Sequence, residues 1–126
     1  MTESSYYSDI TKYYERTATA SIAWEAKFSR TDRIPFSALA EHQERFLLKS
    51  EMIFGFKVPD NGIGQKPFDG FVLYQAKSVF IAIYYQPRAT EIYEIPIRIF
   101  VHQKYTSKEK SLSKKRAAEL GTRIFL

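Results

Sequence analysis

Ser78–Tyr85, SVFIAIYY, has no charged residue and neither glycine nor proline. Its aliphatic and aromatic side chains fall at odd and even positions alike. That pattern predicts a strand covered on both faces, and so a central one. Outward from it, Gln86-Pro87-Arg88 reads as a turn. Thr90–Val101 (TEIYEIPIRIFV) then alternates polar and apolar residues as a strand does, with Pro96 predicting an edge position or a break. Upstream, Phe68–Leu73 and Met52–Val58 are short β-like runs. They are parted by Pro59-Asp60-Asn61-Gly62 and Gln65-Lys66-Pro67, which carry turn and loop chemistry.

The flanks supply helices. Ser8 or Asp9 is placed to cap a helix through Arg16, with Tyr6, Tyr7, Tyr13 and Tyr14 near helical spacing. Thr17–Phe28 reads as a strand and Ser29–Arg33 as a turn. Phe36–Ser50 reads as an amphipathic helix, with Pro35 suiting its first turn and Ser37 its cap. Leu39, Phe46 and Leu47 form its expected apolar stripe, with His42 and Gln43 at the stripe's edge. Lys104–Arg116 is basic apart from Glu109, and Ser113 is placed to cap a short helix that ends at Gly121. The expected fold is α/β (α+β): one domain over residues 1–126, a central mixed sheet flanked by helices, and a basic C-terminal tail from about 104.

A chain of 126 residues, 44% hydrophobic, is long enough for one modest core. It has no cysteine, which excludes disulfides and thiolate metal sites. No segment approaches the ~18 apolar residues of a membrane span. The opening MTESSYYSD is polar and acidic, unlike a secretory leader, so a cytoplasmic protein is expected. A net charge of +5 leans toward a polyanionic partner such as nucleic acid.

Three constellations carry candidate chemistry. Glu25-Ala26-Lys27 ends a predicted strand, so its two charged side chains share a face. A carboxylate there suits Mg²⁺, which takes oxygen ligands. A lysine beside it orients water and offsets phosphate charge. The same pair also fits an ordinary surface ion pair. In Lys66-Pro67-Phe68-Asp69-Gly70-Phe71 an aspartate stands among aromatics, where a lone carboxylate is costly to bury. Asp-Gly is also a hairpin signal. In Glu41-His42-Gln43, Gln43 can hydrogen-bond a lysine or a phosphate, or sit at the surface. His42 and His102 are the only histidines, which argues against a His-rich zinc site. There is no Gly-rich phosphate loop and no GxSxG elbow.

Taken together, Glu25-Ala26-Lys27, Ile34-Pro35-Phe36-Ser37 and Glu41-His42-Gln43 resemble the RecU-like Holliday junction resolvases of the PD-(D/E)xK nuclease superfamily. There an E-x-K strand precedes a helix with such a His-Gln pair. Phe56–Phe71, FKVPDNGIGQKPFDGF, resembles the block that supplies the motif aspartate, and the blocks cover about half the chain. In the family the aspartate block precedes E-x-K; here it follows, so the resemblance implies a permuted order. The strand at Asp69 is then expected beside the strand at Glu25. The resemblance implies a restriction-endonuclease-like core and Mg²⁺- or Mn²⁺-dependent cleavage of branched DNA by a homodimer. It implies that Asp69, Glu25 and the Ala26 carbonyl hold the metal, that Lys27 acts on the water, and that Gln43 steadies Lys27 or the phosphate. Glu15 or Asp60 is the candidate further carboxylate. Arg30, Arg33, Lys66, Lys108, Lys110, Lys114 and Lys115 are the expected phosphate contacts, with binding that weakens as salt rises. Two other classes fit the sequence. One is a catalytically inactive nucleic-acid-binding module on the same fold, set apart by whether Asp69 and Glu25 approach each other. The other is an interaction protein, which an exposed aromatic patch without a basic cleft around Lys27 would favour.

Overall fold

The structure, a computed structural model, describes residues 3–18, 21–52, 54–58 and 70–126, with backbone alone at 3–4, 54–58 and 70–74. A 3₁₀ turn (Glu3–Tyr6) leads into helix α1 (Tyr7–Thr17), followed by strands β1 (Ile22–Ser29) and β2 (Arg33–Pro35). A second 3₁₀ turn (Phe36–Ala38) precedes helix α2 (Glu41–Ser50), then β3 (Phe54–Val58) and β4 (Gly70–Tyr74). β5 (Lys77–Tyr84) and β6 (Glu91–Pro96) run into α3 (Ile97–Thr106), β7 (Ser111–Ser113), α4 (Lys114–Leu120) and β8 (Thr122–Ile124).

The central sheet is mixed, in the order β1-β5-β6-β8. β1 pairs parallel with β5, and the other two pairings are antiparallel. β5 is buried along its whole length after Lys77, as its two-sided apolar sequence predicts. Val79, Ile81 and Ile83 meet Ile10 and the tyrosines of α1 on one face. Phe80, Ala82 and Tyr84 meet Leu47, Ile97, Phe100 and Leu112 on the other, with Phe80 stacked on Phe100 at 4.2 Å between centroids. Each such large side chain contributes roughly 1.5–3 kcal/mol on burial. The Tyr84 hydroxyl donates to the Leu112 carbonyl at 2.9 Å, tying β5 to β7. The fold is therefore α+β, a mixed sheet between helical layers.

Several local expectations are corrected. Helix α1 starts at Tyr7 and takes no side-chain cap from Ser8 or Asp9. β1 starts at Ile22, not Thr17. Pro35 ends β2, and the chain turns at Leu39–Ala40 before α2 begins at Glu41. That break rotates the helix relative to Leu39. Leu47 is buried, while Phe46 is 61% exposed. β6 is internal between β5 and β8, so of the two expectations for Pro96 the edge fails and the break holds. Pro96 is its last residue and the N-cap of α3, where a missing N–H is harmless. Ile97–Thr106 is a helix although IRIF alternates like a strand; Ile97 and Phe100, three apart, are its buried residues. The basic C-terminal stretch is built into the fold, burying Leu112, Ala117 and Ile124. Ser113 does cap α4, accepting from the Arg116 N–H at 3.1 Å, and Gly121 ends it. β4 pairs with β3 in a separate two-stranded sheet, so the strand after Asp69 is not the neighbour of β1.

Two constraints hold the layers in register. The Gly121 Cα faces β6: a Cβ there would lie 2.5 Å from the Glu94 carbonyl oxygen and 2.8 Å from Ile95 Cγ1. Gly121→Ala should therefore lower stability by about 1–3 kcal/mol, read as a fall in urea midpoint. The buried Glu44 carboxylate of α2 accepts from Lys104 Nζ at 2.9 Å and the Tyr105 hydroxyl at 3.1 Å on α3. The hydrogen bond to Glu44 holds the Lys104 pKa above its ordinary value. A raised folded pKa adds stability that is complete below the unfolded value, about 10.4, and lost as pH rises through the folded one. Glu44→Ala should cost about 3 kcal/mol at pH 7 in denaturant titration. The gap from wild type should narrow at strongly alkaline pH.

Candidate active site at the free edge of the sheet

β1 is the outermost strand of the central sheet, and no described strand pairs with its other edge. Ile22, Trp24 and Phe28 pack with Ala26 against the α1 layer. Alternation therefore puts Glu25 and Lys27 on the α2 side. Lys27 Nζ lies 3.7 Å from Glu25 Oε1, with 19% and 27% of the two side chains exposed. That is an ion pair, but a long one, and neither group has another partner among the described residues. Ala26 between them is fully buried on the opposite face.

Helix α2 brings Glu41-His42-Gln43 to this place. Gln43 stands at the third helical position, and its Oε1 accepts the Ala40 N–H at 3.0 Å. This is the returning half of a capping box; Ala40 has no side chain to supply the other half. Glu41 and Glu44 in the first turn suit the positive end of the helix. With the Gln43 oxygen engaged, its NH₂ offers two donors that meet no acceptor among the described residues. A phosphate oxygen or water can use those donors, whereas the Lys27 ammonium, itself donor-only, cannot.

Trp24, Glu25, His42, Gln43, Phe46 and Leu47 line one cleft of about 380 Å³. The strand motif and the helix motif thus converge on one opening. The remaining candidates lie elsewhere. Glu15 is on exposed α1, across the sheet from Glu25, in a shallow cleft with Trp24 and Ile22. Asp60, Lys66 and Asp69 lie outside the described residues. No group of three or more potential metal-ligating side chains occurs among the described residues. A carboxylate oxygen at a cleft is nonetheless a fitting donor for Mg²⁺, which binds through one or two carboxylates and keeps several waters.

Of the expected phosphate contacts, Arg30 lies over the rings of Phe28 and Tyr85, 5.4 and 5.2 Å from their centroids. Arg33 is paired with Glu109 and Lys114 with Glu91, each at 2.9 Å. Lys108, Lys110 and Lys115 are exposed and meet no carboxylate among the described residues. Lys108 and Lys115 line a second cleft, of about 350 Å³, with Arg116 and Ser107. Sequence reasoning missed Trp24 and Phe46 as cleft residues. The signal for Phe46 was its helical phase: it lies four residues from His42, off the Leu47 face. Among the described residues, no helix is long and apolar enough to cross a membrane. Comparison of the chain with family models, characterised proteins and solved structures gave no match.

Replacing Gln43 by alanine should cost about 0.5–1.5 kcal/mol of stability, by loss of its hydrogen bond to Ala40. Thermal melts should show the loss, and circular dichroism should show an otherwise native fold.

Proposed function

We propose that the chain is a metal-dependent DNA endonuclease, similar in motif to RecU-like Holliday junction resolvases and acting on branched DNA in recombination or repair. The observation that carries this reading is the convergence of Glu25 and Gln43 in one open cleft, with Lys27 paired to Glu25. The strand supplies an acid and a base side by side, and the helix supplies a free amide donor.

Glu25 would hold Mg²⁺ or Mn²⁺, with the Ala26 carbonyl and Asp69 as further proposed ligands. The bound ion would polarise the phosphate and lower the pKa of a coordinated water. Lys27 sets a positive charge beside the phosphate, where negative charge grows in the transition state. Gln43 donates to a non-bridging phosphate oxygen and fixes the strand. In the reaction, water oxygen bonds to phosphorus, one P–O ester bond breaks, and the leaving alkoxide takes up a proton. Lys108, Lys110 and Lys115 supply a salt-sensitive hold on the backbone away from the cleft. Action as a cytoplasmic homodimer, which places two symmetric cuts in one junction, belongs to the same proposal.

The test is cleavage of a labelled four-way junction and its matching duplex in Mg²⁺ or Mn²⁺. Wild type should cut the junction, while Glu25→Gln, Lys27→Ala and Asp69→Ala should each lose at least a hundredfold in rate with native circular dichroism. DNA binding with no cutting in either metal would replace the nuclease by an inactive binding module on the same fold.

A further inference from the structure

The polar rim of the cleft, Glu25 and Gln43, is only one side of it. Trp24, Phe46 and Leu47 make most of its wall, and a polyanionic backbone gains nothing from apolar contact. The outer face of α2 adds a second oddity. His42, Arg45, Phe46 and Lys49 recur at helical spacing and are all exposed. Neither Arg45 nor Lys49 has an ion-pair partner among the described residues. The 61% exposed Phe46 is thus flanked by unneutralised cations. An apolar protein partner would have to bury those cations. Aromatic surface interleaved with free cations instead matches a nucleic-acid strand whose bases are unstacked.

We propose that this cleft receives an unpaired nucleobase of the DNA strand, stacked against Phe46 and bordered by Trp24, while Arg45 and Lys49 hold the adjoining phosphates. The Trp24 indole packs on the α1 side, edge-on to Tyr7 at 5.4 Å between centroids, and borders the cleft. The polar rim suits a base edge: with one amide proton of Gln43 on the phosphate, the second is left to donate to the base. Bases paired within a duplex have their edges engaged and their faces stacked, so they cannot enter. The preferred substrate class is therefore DNA with unpaired or easily unstacked bases next to the scissile bond, such as branch points, flaps or single strands. The position of that bond rests on the nuclease reading; the binding of the base does not.

Trp24 is the single tryptophan of the chain and reports directly on the cleft. The experiment is a fluorescence titration of the full chain in EDTA, with a mixed-sequence single-stranded oligonucleotide and with its duplex. The single strand should quench Trp24. The duplex should bind at least tenfold more weakly and leave Trp24 emission unchanged. Phe46→Ala should weaken single-strand binding roughly tenfold, and Phe46→Tyr should restore it; at an exposed position neither change should unfold the chain. Equal quenching by duplex, or unchanged single-strand affinity in Phe46→Ala, would overturn the inference. So would self-association abolished by Phe46→Ala with no Trp24 response to single strands, which would assign the patch to a second copy of the chain. Quenching with no metal-dependent cleavage of any substrate would leave this inference standing and remove the nuclease reading. Cleavage of duplex and junction alike with a silent Trp24 would do the reverse.

Discussion

β5 must be covered on both faces, and the rest of the structure answers to that demand. A strand with Val79, Ile81 and Ile83 on one side and Phe80, Ala82 and Tyr84 on the other is stable only between two layers. Helix α1 supplies one layer. α2, α3 and α4 supply the other, with Phe100 stacked on Phe80 and the Tyr84 hydroxyl fastened to β7. β1 and β6 then take the two flanks of β5. β1 is outermost, with no described strand on its other side, and Glu25 meets α2 there.

The buried carboxylate of Glu44 fixes how α2 sits. It points the helix's inner face at Lys104 and Tyr105 of α3. The opposite face, with His42, Arg45, Phe46 and Lys49, is thereby turned to solvent. The same placement carries Gln43 to the cleft, where its oxygen closes the helix end and its amide protons face outward chemistry. One side chain thus links helix formation to the proposed site.

How much of this the sequence disclosed depends on the kind of signal. β5 was legible because two-sided apolarity in eight residues fits little besides a central strand. Ser113 and Gly121 were legible because capping depends on residues within a few positions of one another. α3 was not, because IRIFV satisfies a period of two as well as a period of three to four, and only the layer beneath it selects Ile97 and Phe100. The phase of α2 was lost for a similar reason: the break at Leu39–Ala40 shifts Phe46 from core to surface, and nothing local announces it. Glu25, Lys27 and Gln43 were found as types in sequence, but the convergence of Glu25 and Gln43 is a property of the β1–α2 contact. The expected pairing of the Asp69 strand beside β1 failed because β4 has a nearer partner, β3, across a single connection.

The central claim is that Glu25 makes this cleft a divalent-metal site. It is tested most directly by titrating Mn²⁺ into ¹⁵N-labelled protein and following paramagnetic broadening of the amide signals. The account predicts broadening centred on residues 24–27 of β1 and 42–43 of α2, abolished by Glu25→Gln. Broadening elsewhere, or the same pattern in Glu25→Gln, would contradict it.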